Sequence, residues 1–273
     1  MGNSLAPTAE MSILLHCIME TEDIWHKIQE EAEDVIKVEP RLRNFLERTV
    51  RFKPTLEDAL AAYLSRKLGT ASACFPTDLF LEAYSEHPET IEAIKRDLQA
   101  VDERDPACHS LLSVLLYMKG FHAISSHRLA HYLWTSENRK DLALYLQSVN
   151  SEIYCVDIHP AARIGSGVML DHATGFVAGE TSVIEDDVSI LHGVTLGGTG
   201  KEEGDRHPKV RRGVLIGAGA KILGNVEIGE SSKVGAGSVV LKDVPAHVSV
   251  AGVPAKVVGK TQDLPAFRMN HNL

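Results

Sequence analysis

The sequence predicts an α+β protein with two domains, an all-helical amino-terminal domain followed by a parallel β-helix with an extruded loop. Two observations support this fold class. Glycines and aromatic residues separate along the chain: 18 of the 21 glycines lie after residue 150, whereas 12 of the 15 aromatic residues lie before it. After residue 150, aliphatic residues recur every six positions, a period that fits neither an α-helix nor a β-hairpin. Two such different patterns in one chain indicate two architectures.

The composition excludes several classes of protein. The 273 residues are 44% hydrophobic and 24% charged, enough to bury a sizeable core. The net charge of −9 argues against a nucleic-acid or membrane-surface partner, which would need a positive surface. No stretch predicts a membrane span or a secretory signal, and the four cysteines lie too far apart for a disulfide framework or a zinc knuckle. We therefore expect a cytoplasmic protein.

Residues 21–150 should form the helical domain, preceded by a frayed tail at 1–20. The first helix begins near Thr21, where aliphatic residues recur at helical spacing, and it ends near Pro40. Prolines and glycines separate further helical segments at 41–51, 56–68, 76–86, 89–103, 110–134 and 137–150. Segment 110–134 is the most apolar, and we expect it to be a central helix pair that bends near Gly120.

Residues 151–260 should form the β-helix, in which each six-residue side of a coil turns one apolar side chain toward the axis. A glycine-rich β-sandwich, the alternative, would need a turn signal about every 8–12 residues. Thirteen apolar residues fit the six-residue period: Ile158, Ile164, Leu170, Phe176, Ile184, Ile190, Leu196, Val210, Ile216, Ile222, Ile228, Val234 and Val240.

Residues 197–208 interrupt this rhythm. They contain five charged residues and no apolar anchor, so we expect a loop extruded from the β-helix. Loops of this length in compact domains usually have a function. The last residues, 261–273, should be a carboxy-terminal tail.

Several motifs resemble the serine O-acetyltransferase family, which belongs to the hexapeptide-repeat acyltransferase superfamily. The motifs of the β-helix are DIHPAA at 157–162, LDHATG at 170–175, GVTLGGTGK at 193–201 and GDRHPK at 204–209. DERDPA at 102–107 and KGFHA at 119–123 are similar to the helical domain of that family. The resemblance implies a left-handed β-helix, although left-handed crossovers break the general rule. It also implies a homotrimer or a dimer of trimers.

The family transfers acetyl from acetyl-CoA to the L-serine hydroxyl, which gives O-acetyl-L-serine and CoA for cysteine biosynthesis, and L-cysteine inhibits it. A serine hydroxyl needs a general base at neutral pH, and His172 is the candidate. Asp157 precedes it by 15 residues, and one coil of three hexads takes about 18, so the two should lie on neighbouring coils about 4.8 Å apart. A carboxylate there would fix the imidazole tautomer and stabilise the imidazolium. Without the resemblance, His172 could equally be part of an ordinary turn.

The resemblance implies further roles for charged residues. Arg206 and His207 would reach a site between subunits, where Arg206 holds the serine carboxylate and His207 assists at the developing oxyanion. Asp105 and Asp171 would bind the substrate ammonium. Taken alone, Arg206 could belong to a solvated basic run, and Asp105 to an Asp-Pro turn that ends a helix.

Acetyl-CoA should lie in the groove between two β-helices. Small residues would let its pantetheine arm approach the backbone, although small residues also suit the corners of a β-helix. The residues assigned to acetyl-CoA are Gly198, Thr199, Ala218, Ala236 and Lys256, the last against a phosphate.

The carboxy-terminal tail of relatives docks into O-acetylserine sulfhydrylase through a final isoleucine. This chain ends in Leu273, which is not β-branched, so we expect weak or absent docking. We interpret His159, His192 and His247 as structural or surface residues.

Three other functions compete with this interpretation. An acetyltransferase for another small hydroxyl acceptor would need neither Asp105 nor a helical domain. A metal-dependent hydratase on a similar β-helix would need three histidines on zinc, and the candidates are His159, His172 and His192. A non-catalytic scaffold is the third. We expect no metal.

Overall fold

The computed structural model describes residues 21–69, 75–200, 203–261 and 264–272. The predicted frayed tail at 1–20 lies outside these ranges. Within them, a helical region is followed by a parallel β-solenoid, as the sequence predicts. None of the described helices is both long and apolar enough to cross a membrane.

Helices occupy each segment that the sequence predicts to be helical. A 3₁₀ turn (Pro40–Leu42) follows the first α-helix, and a π-helical turn (Glu47–Arg51) follows the second. The bounds of the α-helices are α1 (Thr21–Val38), α2 (Arg43–Leu46), α3 (Leu56–Leu68), α4 (Thr77–Glu86), α5 (Pro88–Arg104), α6 (Leu111–Tyr117), α7 (Lys119–Thr135), α8 (Lys140–Tyr154) and α9 (Pro265–Arg268).

The break in the central helix pair lies at Met118 rather than near Gly120, where the sequence predicts it. Met118 has an extended backbone (φ −88°, ψ 102°), which ends α6 and starts α7. Gly120 lies in the first turn of α7, and a Cβ there would be 1.8 Å from the carbonyl oxygen of Leu170. The glycine therefore serves the close approach of α7 to the β-helix and not a bend.

Three parallel sheets form the faces of the solenoid. Their strand orders are β1-β4-β7-β10-β13, β11-β8-β5-β2 and β15-β14-β12-β9-β6-β3, and only the β14–β15 pair is antiparallel among the described strands. The strand bounds are β1 (Val156–Ile158), β2 (Arg163–Ile164), β3 (Met169–Leu170), β4 (Phe176–Ala178), β5 (Val183–Ile184), β6 (Ser189–Ile190), β7 (Thr195–Gly197), β8 (Lys209–Val210), β9 (Leu215–Ile216), β10 (Lys221–Leu223), β11 (Glu227–Ile228), β12 (Lys233–Val234), β13 (Val239–Val240), β14 (Val248–Gly252) and β15 (Ala255–Lys260).

The six-residue period is confirmed as the core of the solenoid. Twelve of the thirteen predicted anchors are buried. The exception, Ile164, is partly buried and lines an open cleft of about 460 Å³ between the helical region and the solenoid. The first coil takes 20 residues, because Ile158 pairs with Ala178, whereas the later step from Ile216 to Val234 takes the expected 18.

Buried ion pairs fasten the helical region to the solenoid. Asp97 on α5 accepts Arg128 of α7 at 2.5 Å and the Val168 amide of the β2–β3 turn at 2.8 Å. At the end of α5, Arg104 donates to the Gly167 carbonyl at 3.0 Å and lies 3.5 Å from Asp187. These contacts fix α5 against the corners that precede β3 and β6.

Candidate active site

His172 lies at an exposed corner of the solenoid, directly after β3. Its backbone is left-handed (φ 57°), as is that of Ala173 (φ 56°). Such a conformation is uncommon for residues other than glycine. The side chain of His172 is 71% exposed, so the imidazole faces solvent and is open to a ligand.

One carboxylate lies beside this imidazole, and the charge of a second one acts on the first. Asp171 Oδ2 lies 3.6 Å from His172 Nε2. Burial raises the pKa of Asp171, the charge of His172 lowers it, and the negative charge of Asp105 raises it further. Asp105 comes from the helical region, where it caps the end of α5 and its Oδ1 accepts the Ala107 amide at 2.8 Å. Asp105 therefore forms the Asp-Pro turn that ends the helix and also acts on Asp171. Two carboxylates in this arrangement suit a bound cation such as an ammonium.

Asp157 is exposed on β1, and its strand register sets it opposite Val177 of the next coil. The Gly175 amide donates to the Cys155 carbonyl at 2.7 Å, which sets the His172 corner beside the start of β1. The carboxylate of Asp157 accepts Gln147 Nε2 of α8 at 2.6 Å. Within the described ranges it makes no hydrogen bond to His172, so the predicted dyad stays a prediction.

His207 is held at a different corner of the solenoid, after β4. Its Nδ1 accepts the Thr181 amide at 3.2 Å and lies 2.9 Å from the Thr181 hydroxyl. That hydroxyl accepts the amides of Arg206 and His207, both at 3.1 Å, so its own proton points to Nδ1. A Cβ on Gly179 would lie 2.0 Å from Nε2, so only glycine leaves room for the ring.

Electrostatics keep His207 neutral. The side chain is largely buried, and burial lowers its pKa, followed by the positive charges of Arg206 and Lys209. With two donors on Nδ1, the ring proton resides on Nε2, which is a hydrogen-bond donor suited to an oxyanion. Arg206 itself bonds Glu180 at 2.8 Å, and this hydrogen bond lowers the pKa of Glu180.

The structure thus brings Asp105, Asp171 and His172 together but holds Arg206 and His207 elsewhere. His172 precedes β4 (Phe176–Ala178) and the Gly179 pocket of His207 follows it. The two imidazoles lie at opposite ends of that strand, which at about 3.3 Å per residue is at least about 10 Å. Within one chain, the backbone corners that hold the two imidazoles are therefore about 10 Å or more apart.

The residues assigned to acetyl-CoA fall on two corners. Ala218 and Ala236 follow β9 and β12 at the corner of His172, because Gly219 donates to the His192 carbonyl and Gly237 to the Ala218 carbonyl, at 2.9 and 2.8 Å. Gly198 and Thr199 begin the extruded loop at the other corner, and Lys256 is exposed on β15. The alanines place small side chains one above the other along the solenoid axis at the first corner.

Sequence reasoning missed the supports of these side chains. Asp157 is bonded by Gln147, Arg206 by Glu180, and His207 by Thr181. His192 packs against His172 with ring centroids 5.7 Å apart. The repeat could have identified His192, which follows β6 as His172 follows β3. The other three carry no signal in the sequence, since they depend on side-chain direction.

The described residues hold no group of three His, Cys, Asp or Glu side chains arranged for a metal ion. Of the three histidines considered for zinc, His159 packs edge-on against Trp134 at 5.1 Å. His172 and His192 pair with each other instead.

Comparisons with known proteins agree with this geometry. Family models described as "Serine acetyltransferase, N-terminal" and "Bacterial transferase hexapeptide (six repeats)" match residues 24–126 and 207–242. The serine acetyltransferase of Haemophilus influenzae is 54% identical, covering 92% of this chain and 94% of the relative. That of Escherichia coli K12 is 51% identical, covering 93% of each.

Solved structures give the same result. A Vibrio cholerae serine acetyltransferase superposes with a TM-score of 0.90 at 50% identity, over 93% of this chain and 99% of the other. A Brucella abortus serine acetyltransferase in complex with coenzyme A gives 0.85 at 55% identity, over 87% and 96%. A serine acetyltransferase in complex with cysteine gives 0.89 at 52% identity, over 93% and 100%.

Proposed function

The chain belongs to the serine acetyltransferase family, and from this premise we propose how its residues carry out the reaction. The enzyme transfers acetyl from acetyl-CoA to the L-serine hydroxyl, giving O-acetyl-L-serine and CoA, the first step of cysteine biosynthesis. L-cysteine inhibits it by feedback. The observation that carries the assignment of the site is the pair of carboxylates, Asp105 and Asp171, beside the imidazole of His172.

Serine binds with its ammonium between Asp105 and Asp171. Burial raises the pKa of Asp171, the negative charge of Asp105 raises it further, and a bound ammonium relieves the repulsion between the two carboxylates. Because Nε2 of His172 lies 3.6 Å from Asp171, a serine anchored there has its hydroxyl within reach of this nitrogen. L-cysteine shares the ammonium and carboxylate of serine and occupies the same site. Closure of loop 197–209 over cysteine then weakens acetyl-CoA binding.

His172 acts as the general base. Nε2 takes the hydroxyl proton while the serine oxygen forms a bond to the thioester carbonyl carbon. The tetrahedral intermediate then collapses, the carbon–sulfur bond breaks, and the imidazolium returns the proton to the CoA sulfur. The Asp157 carboxylate releases Gln147 and accepts a hydrogen bond from Nδ1 of His172. In this position it stabilises the imidazolium.

A neighbouring copy supplies Arg206 and His207. The separation of the two histidine corners across β4, about 10 Å or more within one chain, supports this. In a homotrimer, the loop corner of one copy faces the His172 corner of the next, and the closed symmetry gives three equal sites. His207 donates from Nε2 to the oxyanion, and Arg206 leaves Glu180 to bind the serine carboxylate. A dimer of trimers repeats the same sites.

Acetyl-CoA lies between the two corners. Its pantetheine arm follows Ala218 and Ala236 on one copy and contacts Gly198 and Thr199 on the other. Lys256, exposed on β15, meets a phosphate.

Mixed oligomers test the shared site. His172→Ala and His207→Gln should each be inactive, yet random co-assembly of the two should restore activity at about a quarter of the interfaces. Restoration requires that the two histidines of one site come from different copies. Activity no greater than that of the separate variants, in oligomers shown to be mixed, would contradict the shared site.

Sulfhydrylase docking by the tail remains a proposal, and Leu273 lies outside the described residues. We propose that docking is weak, because the tail packs on its own chain. Ser189 Oγ donates to the Ala266 carbonyl at 2.9 Å, and the Phe267 ring lies 4.1 Å from the Arg104 guanidinium. A partner would first have to release these contacts. The cytoplasmic location likewise stays a prediction.

A further inference from the structure

His192 occupies the same corner as His172, one coil along the solenoid. The register of β3 and β6 pairs Leu170 with Ile190, so the residue two positions after each strand stacks on its counterpart. The two imidazoles meet edge to face, with centroids 5.7 Å apart and an angle of 65° between the planes. This is the favoured geometry of an aromatic pair.

Little else restrains the imidazole of His172. Its side chain is 71% exposed, and Asp171 at 3.6 Å is too distant for a hydrogen bond. Within the described part of the chain, the ring of His172 makes no hydrogen bond, and its one ring contact is with His192. An exposed side chain held this loosely samples several rotamers, and only some of them direct Nε2 to the substrate.

His192 is exposed as well, but its backbone is bonded to the coils on both sides. Its carbonyl accepts the Gly219 amide at 2.9 Å from the following coil. The adjacent Gly193 amide donates to the Thr174 carbonyl at 2.8 Å on the preceding coil, just after His172. The turn at His192 is thus tied to both neighbouring coils, which fixes the direction in which its side chain leaves the backbone toward His172.

We propose that His192 is a positioning residue that orients the catalytic imidazole of His172 through ring-to-ring contact. The proposal rests on the assignment of His172 as the general base. General base catalysis requires that the imidazole nitrogen lie close to the hydroxyl proton. A His172 ring that samples several rotamers therefore lowers the rate of the chemical step. The contact involves no hydrogen bond between the two rings among the described residues, so an aromatic ring suffices and a polar side chain does not.

Substitutions at position 192 test whether an aromatic ring is needed there. His192→Ala and His192→Gln should each lower kcat about two- to tenfold, the weight of one aromatic contact. The KM values for serine and acetyl-CoA and the thermal midpoint should stay unchanged. His192→Phe should recover most of the lost kcat. His26→Ala, which removes an exposed histidine paired with Glu30 on α1, is the matched control and should match the unmodified enzyme.

A double-mutant cycle supplies the decisive readout. If His192 acts through His172, then His192→Ala should have no further effect on turnover in a His172→Ala background. The proposal is overturned if His192→Ala keeps full kcat, if phenylalanine is as poor as alanine, or if the two effects multiply. If His172→Ala itself keeps full turnover, the proposed base is wrong and this inference fails with it.

Discussion

Replacing Asp105 with asparagine should weaken serine binding without disturbing the backbone around it. The Asp105 Oδ1 atom accepts the Ala107 amide at 2.8 Å, and the amide oxygen of asparagine can accept the same hydrogen bond. The Asp-Pro turn therefore survives while one negative charge of the ammonium site is lost. Asp105→Ala removes the turn contact as well and is the harsher variant.

The size of the effect follows from the exposure of the site. A hydrogen bond to a charged group contributes about 1.5–3 kcal/mol. Asp105 is half-buried, so solvent screens part of its charge and the lower end, about 1.5–2 kcal/mol, applies. The KM for serine should therefore rise about 10- to 30-fold. The kcat should change little, because the proposed contact of Asp105 is with the amino group and not with the reacting atoms.

Release of CoA thiol at varied L-serine measures this split, and calorimetry measures L-cysteine affinity in the same variants. Because both amino acids share the ammonium contact, cysteine affinity should fall by the same factor. Asp102→Asn is the matched control, since Asp102 belongs to the same motif but contacts Lys27 and Cys108. Unchanged cysteine affinity in Asp105→Asn would refute the shared ammonium site.

The pH dependence of serine binding provides a second readout of the same variant. Burial and the charge of Asp105 raise the pKa of Asp171. A protonated Asp171 cannot pair with an ammonium, so serine affinity should fall as pH drops through this raised pKa. Asp105→Asn removes the like charge and lowers the pKa of Asp171. The loss of affinity should therefore begin at a lower pH in the variant.

Three further predictions follow from single contacts. Gly120→Ala should lower the free energy of unfolding by about 1–3 kcal/mol, because its Cβ would meet the Leu170 carbonyl; an unchanged thermal midpoint would count against this. Thr181→Val removes the hydroxyl that bonds His207 Nδ1 and accepts the amides of Arg206 and His207, and kcat should fall at least about fivefold, the weight of one such hydrogen bond; full kcat would show that this hydroxyl does not orient the ring. Calorimetry with O-acetylserine sulfhydrylase should show weak binding, and a submicromolar dissociation constant would contradict the packed tail.

The fold was predictable because it depends on periodicity. The six-residue repeat identifies thirteen positions from Ile158 to Val240, and twelve of them are buried, since each coil needs one apolar side chain per side. The break at Met118 was not predictable from Gly120 alone. That glycine is required because the Leu170 carbonyl, 50 residues away along the chain, packs closely against it. No local sequence pattern encodes this contact.

The sequence indicated where the candidate site residues lie along the chain, but it did not indicate which side chains contact them. Motif resemblance identified Asp105, Asp171 and His172, which the fold brings together. The spacing argument for Asp157 assumed a coil of about 18 residues, whereas the first coil takes 20, so Val177 lies opposite Asp157. The Gln147 contact, like the Glu180 contact of Arg206, depends on side-chain direction between separate elements, which a linear sequence does not reveal.

The turnover of His172→Ala tests the central claim most directly. The variant should keep its oligomeric state, measured by light scattering, and its serine affinity, while acetyl transfer to L-serine slows by about 10²–10⁴-fold, the usual contribution of a general base. Asp157→Asn should cost less, because it removes a partner of the base and not the base itself. Turnover of His172→Ala close to that of the unmodified enzyme, in an intact oligomer, would remove this residue from the mechanism.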